Sequence, residues 1–256
     1  PYTTLFRSSI NPQSPIPNEE FSLVFTADKE ITIFIVGDST AANKDISGGK
    51  QERGWGQMFQ RNFNENFVVV DNHAVNGRST KSFLDEGRWD VVKKLIKKGD
   101  YVMIQFGHND AKDDEARHTD PGTTFDANLK KYATETSKLG GIPVLMSPVV
   151  RRNWINGVLV DTHGDYRLRA KIVADSLKVH YIDGNAITQR VEKNLGEERS
   201  KKLHLIFEPG EQAAYPDGIE DNTHYSVYGA TIVAKLFAEA LVKEVPNFMI
   251  LWGLGI

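Results

Sequence analysis

Five residues of this chain have the types and order needed for acyl transfer: Ser39, Gly77, Asn109, Asp221 and His224. Ser39 stands in Gly37-Asp38-Ser39-Thr40, directly after the apolar run Ile31–Val36. A strand ending in a turn of small residues puts a hydroxyl at the edge of a sheet. Open α/β sheets bind ligands there, beyond the carboxyl ends of the strands. Serine in that place is a candidate nucleophile if a neighbouring base takes its proton. It is also a favoured helix N-cap, which is the bland alternative.

The other four residues divide in the same way. Gly77, in Asn76-Gly77-Arg78-Ser79, is either a turn residue before a helix capped by Ser79 or a bare backbone that lets its N–H approach an oxyanion. Asn109, in Gly107-His108-Asn109-Asp110, either closes a turn or offers a side-chain amide to developing negative charge. Asp221 and His224 stand three apart, where the spacing predicts the first turn of the last helix. One imidazole nitrogen would then bond the carboxylate and the other would face the serine, which sets the tautomer and stabilises the imidazolium. Alternatively Asp221 caps that helix and His224 is merely exposed. His108, Asp110, Asp113 and Asp114 lack the ligand spacing of the known metal motifs, so no metal is expected.

Behind these residues the chain alternates apolar runs with helical patterns. Ile31–Val36, Phe67–Val70, Tyr101–Phe106, Ile142–Met146 and Val179–Ile182 lack polar alternation and read as buried strands. Helical patterns occupy Trp55–Asn62, Lys81–Lys97, Phe125–Leu139, Tyr166–Leu177, Ala186–Lys201 and Val227–Lys243. Such alternation implies a parallel sheet covered on both faces through right-handed crossovers. The expected class is α/β, with serine, glycine and asparagine delivered to one edge by successive strand ends. Two longer segments, Gly107–Thr124 and Phe207–Thr223, read as loops.

At 256 residues the chain can bury a large core without staples, and it has no cysteine for disulfides, thiolate metal sites or a thiol nucleophile. Its net charge of −3 is mixed along the sequence, which argues against generic nucleic-acid binding. No apolar stretch approaches the ~20 residues of a membrane helix. Residues 1–19 are polar and proline-rich and read as a leader or expression remnant. Residues 20–246 read as one domain, and 247–256 as a short apolar tail.

Taken together, Gly37-Asp38-Ser39, Gly77, Gly107-His108-Asn109-Asp110 and Asp221-Asn222-Thr223-His224 resemble the blocks of the SGNH (GDSL-like) hydrolase superfamily, in the same order. A narrower likeness adds Thr40-Ala41, Gly54-Trp55-Gly56, Phe106, Ser147-Pro148-Val149-Val150-Arg151-Arg152 and Tyr225, which look like rhamnogalacturonan acetylesterases. Thr40 stands where the wider superfamily often has leucine. The resemblance implies a three-layer, flavodoxin-like fold with a five-stranded parallel sheet, no cofactor, and removal of acetyl groups from the galacturonate residues of pectin. It implies Ser39 as nucleophile, His224 as base, Asp221 as its orienting partner, and an oxyanion hole from the Ser39 and Gly77 N–H groups with Asn109.

An acetylated polysaccharide substrate implies secretion, extracellular or periplasmic, although no signal peptide is visible. Pectic chains are polyanions, so local positive charge is expected near the site. Arg78, Lys112, Arg151 and Arg152 are the candidates, each equally readable as a surface charge. Trp55 either offers a sugar-stacking face or packs the first helix. The alternatives are a lipase or thioesterase of the same superfamily, an esterase of acetylated xylan or simple sugars, or a non-catalytic carbohydrate-binding module.

Overall fold

The first apolar run fixes the layering. Successive side chains of a strand point to opposite faces. Ile33 and Ile35 enter one buried cluster and Phe34 and Val36 a second. A sheet apolar on both faces has to be covered on both. The computed structural model describes residues 31–245 and has that three-layer form. The expected leader (1–19) and tail (247–256) lie outside the described residues.

In chain order the strands are β1 Ile31–Gly37, β2 Glu52–Arg53, β3 Val68–Asn72, β4 Tyr101–Gln105, β5 Ile142–Met146, β6 Trp154–Ile155, β7 Val158–Leu159, β8 His180–Ile182, β9 His204–Phe207 and β10 Ile219–Ser226. The α-helices are α1 Thr80–Asp85, α2 Arg88–Lys93, α3 Thr124–Lys138, α4 Tyr166–Leu177, α5 Gly184–Ser200 and α6 Val227–Glu244. The five runs expected to be buried strands form one parallel sheet in the order β3-β1-β4-β5-β8. The chain passes from β1 outward to β3, then returns to β4 on the other side of β1. That reversal opens a crevice beyond the carboxyl ends of β1 and β4.

One face of the sheet is covered by α6 and by a 3-10 helix at Trp55–Asn62, through Trp55, Phe59, Phe237 and Leu241. The other is covered by α1 to α4, through Phe83, Trp89, Phe125, Tyr132 and Val173. Each such side chain contributes roughly 1.5–3 kcal/mol by leaving water. A second sheet, β2-β10-β9, is antiparallel, and β6 and β7 form a hairpin that follows β5. No helix among the described residues is long and apolar enough to cross a membrane.

Three sequence expectations need correction. The helix expected over Lys81–Lys97 is two short helices, because Gly87 takes a left-handed φ of 69° between them. The helix expected over Trp55–Asn62 is present with those bounds, as a 3-10 helix. Asp221 and His224 do not open the last helix. They lie on β10, and α6 begins at Val227 with Ser226 as its N-cap, accepting from Gly229 N–H. A run of Asp, Asn, Thr and His has weak helix propensity, and pairing with β9 and β2 decides its conformation. The loop expected over Phe207–Thr223 is shortened accordingly.

Candidate active site

The neighbouring order β3-β1-β4 brings together the three segments named from sequence. Ser39 follows β1, Gly77 follows β3 and Asn109 follows β4. The turn after β1 is held from below. Asp38 is fully buried, and its Oδ1 accepts from Thr40 N–H at 2.9 Å and Thr40 Oγ at 2.8 Å. Burial pushes the Asp38 carboxyl up, against these hydrogen bonds. Thr40 carbonyl accepts from Trp55 N–H at 2.9 Å, and Trp55 Nε1 donates to Gln105 Oε1 at 2.8 Å. Gly54, just before Trp55, lies so close to Ala42 that a Cβ would come within 2.2 Å of its carbonyl oxygen. The Gly54-Trp55-Gly56 block therefore supports the serine turn from behind.

The Asp221–His224 pair comes from an irregularity in β10. Asp221 pairs with Leu205 and Tyr225 with the next residue, His204, so Asn222, Thr223 and His224 bulge out of the ladder. In the bulge Asp221 Oδ1 accepts from Thr223 N–H at 2.8 Å and His224 N–H at 3.0 Å. Asp221 Oδ2 lies 2.7 Å from His224 Nδ1, and His224 Nε2 lies 2.8 Å from Ser39 Oγ. An ionised carboxylate can only accept, so Nδ1 carries the hydrogen and Nε2 is free to accept from the hydroxyl. Partial burial raises the Asp221 carboxyl. The hydrogen bonds from the His224 ring and from the His224 and Thr223 amides, with the charge of His224, outweigh it and hold the group well below the usual range. The His224 and Asp221 side chains remain 26% and 30% exposed, enough for a substrate to reach them.

On the opposite rim Gly77 turns at φ 74°. The N–H groups of Ser39 and Gly77 donate to no acceptor among the described residues. Asn109 is buried and donates to Arg78 carbonyl at 3.1 Å, which ties the β4 turn to the Gly77 turn and leaves a second amide hydrogen. Asp110 anchors both from beneath. It is fully buried and accepts from Thr80 N–H at 3.0 Å and from Thr119 Oγ at 2.9 Å. Burial pushes its pKa up to about 7, against the hydrogen bonds from Thr80 and Thr119. Between about pH 4 and 7 the folded chain therefore holds a proton that the unfolded chain has released, so stability falls as pH rises through that window. Across it the loss from this group reaches up to about 4 kcal/mol. Asp110→Asn is expected to make the slope of Tm against pH more positive between about pH 4 and 7, leaving the falling contribution of Asp38 and the rising ones of the depressed His163 and His108. An unchanged slope in calorimetric scans would show that Asp110 does not titrate there.

The expected substrate contacts fare differently. Trp55 is fully buried and packs edge-on against Phe59 and Phe237, so it offers no sugar-stacking face. Arg152 is 8% exposed and bonded inside the protein, so the expectation that it meets substrate is also corrected. Arg151 is held by Thr162 and by His108 carbonyl at 3.1 Å. Arg78 lies at the rim but pairs with Glu86 at 3.0 Å. Lys112 is exposed and makes no ion pair among the described residues. Sequence reasoning weighed His108 only as a metal ligand and missed His163; their rings meet edge-on at 4.5 Å beside Arg151. Burial drives His163 down to about 4 and His108 well below its usual value, so both are neutral in the working range. Among the described residues no cluster of His, Cys, Asp and Glu could hold a metal.

Residues 35–231 match the GDSL-like Lipase/Acylhydrolase family. The chain belongs to that family. It is 43% identical over 214 residues to the rhamnogalacturonan acetylesterase RhgT of Bacillus subtilis (strain 168), covering 83% of this chain and 90% of that protein. It is 34% identical over 218 residues to the probable rhamnogalacturonan acetylesterase YesY of the same organism, covering 83% and 92%. The crystal structure of protein YxiM of Bacillus subtilis superposes with a TM-score of 0.69 at 25% identity, over 84% of this chain and 57% of that longer one. The family and its rhamnogalacturonan acetylesterase-like branch, as the motif blocks suggested, and the five-stranded α/β fold are thus borne out.

Proposed function

We propose that the protein is a serine esterase that removes O-acetyl groups from plant cell-wall polysaccharide, with acetylated rhamnogalacturonan as its substrate. One observation carries the chemistry: the His224 ring bridges Ser39 and Asp221 through its two nitrogens, at 2.8 and 2.7 Å. The substrate is supported by the relatives of this branch, of which a third, from Emericella nidulans, is also named rhamnogalacturonan acetylesterase, at 27% identity.

In this reading Ser39 Oγ attacks the acetyl carbonyl carbon while its proton passes to His224 Nε2. The carbonyl oxygen becomes an oxyanion, received by the Ser39 and Gly77 N–H groups and the second Asn109 amide hydrogen. Collapse breaks the bond to the sugar oxygen, which takes the proton from His224. Water, deprotonated by the same nitrogen, then attacks the acyl-serine and releases acetate. Asp221, held ionised, fixes the tautomer and balances the imidazolium charge in both halves. For an anionic sugar, exposed Lys112 and Arg78, the latter paired with Glu86, offer positive charge. A polymeric cell-wall substrate is the ground for assigning the protein an extracellular or periplasmic location.

Acetate release should be measured on acetylated rhamnogalacturonan, acetylated xylan and 4-nitrophenyl esters of increasing chain length. The expected result is preference for the first polymer and a sharp fall beyond the acetyl ester. Equal or better hydrolysis of long acyl esters would favour a lipase or thioesterase, and preference for xylan would move the substrate.

A further inference from the structure

The bulge that carries the acid–base pair has no ladder partner of its own, since Asn222, Thr223 and His224 all fall between two consecutive pairings with β9. Asp221 Oδ1 ties it from within, and something else has to hold it from outside. Arg152 does so from the turn after β5. Its backbone N–H donates to Asn222 carbonyl at 2.8 Å, and its Nη1 donates to Asn222 Oδ1 at 2.9 Å. The far side of the guanidinium is anchored on the end of α5, with Nη2 donating to Glu197 carbonyl at 2.6 Å and Nε to Ser200 Oγ at 3.2 Å. That anchor is itself shaped by Gly196, whose non-helical φ of 75° kinks α5 just before Glu197.

The buried guanidinium meets no carboxylate within ion-pair distance among the described residues, so it is held by neutral oxygens on α5 and on the bulge. A planar fork can span two such elements, whereas a lysine ammonium on a flexible stem cannot reproduce the geometry. Asn222 adjoins Asp221, and its carbonyl and side chain are both gripped.

We infer that Arg152 is a positioning residue: through Asn222 it holds the β10 bulge in the one shape that keeps Asp221 on His224 and His224 on Ser39. The inference rests on the catalytic reading proposed above. Besides Asp221, the groups coupled to the charge of His224 are Asp38 and His108, with Arg151 beside both.

The test uses Arg152→Lys, Arg152→Met and Asn222→Ala, assayed with 4-nitrophenyl acetate on protein shown to be folded by circular dichroism. Both Arg152 variants are expected to lose kcat by ~10–100-fold with KM within about threefold. Their acidic limb of kcat/KM should move to lower pH, because a loosened Asp221 stabilises the imidazolium less. Asn222→Ala keeps the backbone contact and should lose less, and adding it to Arg152→Met should cost little more. A variant that is only less stable would keep its kcat per folded molecule and its pH limb. Wild-type kcat and an unmoved limb in folded Arg152→Met would overturn the inference, as would a loss confined to KM, which would mean contact with substrate. If Arg152→Met does not fold, Asn222→Ala decides by the same two readouts. Failure of a fluorophosphonate to label Ser39 in the unaltered protein would instead bring down the catalytic reading beneath it.

Discussion

Alanine at position 39 is expected to reduce ester hydrolysis by on the order of 10⁴–10⁶-fold, to the level that the oxyanion donors and binding alone sustain. The fold should be unaffected. The Ser39 side chain has one hydrogen-bond partner, His224 across the crevice, and the buried supports of the turn are Asp38, Thr40 and Trp55 rather than the serine itself. Tm should therefore stay within about 2–3 °C of the parent. The two measurements have to be made on one preparation, because a contaminating esterase would leave a residual rate with the KM of another enzyme. Activity within about tenfold of the parent would remove Ser39 from the mechanism altogether.

The second large effect belongs to Asp221→Asn, with kcat expected to fall by about 10⁴-fold. Two backbone donors, Thr223 and His224 N–H, point at Oδ1. The amide of asparagine will keep its oxygen there and turn its NH₂ toward His224 Nδ1. That nitrogen must then accept, the ring hydrogen moves to Nε2, and the face toward Ser39 can no longer take a proton. Because the bulge keeps its backbone hydrogen bonds, the loss should appear in kcat with little change in KM. Near-normal kcat in the Asp221→Asn variant would mean that the carboxylate does not set the tautomer.

Much of this geometry was legible in the sequence, for physical reasons that differ from place to place. The five strands of the main sheet announced themselves because a strand buried on both faces has no polar alternation, and Ile31–Val36 is almost wholly apolar. The reactive segments were legible because each follows such a run. β10 was not, since its residues, Ile-Glu-Asp-Asn-Thr-His-Tyr-Ser, form neither an apolar run nor a clean alternation. Its extended form comes from pairing with β2, far away in sequence, and with β9 across a loop. Asp221 and His224 were still paired correctly, because a bulge and a helical turn both bring residues three apart side by side.

The charged and aromatic candidates were the least legible. Arg151, Arg152 and Trp55 stand near the sheet edge in the chain, but only packing decides whether a long side chain turns outward or inward. Arg152 turned toward the end of α5 and Trp55 into the core between Phe59 and Phe237. Gln105 gave a weaker signal that went unused: a lone amide ending the apolar run Tyr101–Ile104 has to find partners, and it finds Trp55.

The two sheets meet in a way that sets the Ser39–His224 contact apart from the longest connection of β10. Glu52 and Arg53, a short stretch downstream of Ser39, pair with Ser226 and Tyr225, immediately beyond His224. Ser39 and His224 are thereby stitched together at the near end of β10, while the segment 208–218 hangs from its far end. Changes of length in that outlying segment can therefore be absorbed without shifting His224 relative to Ser39.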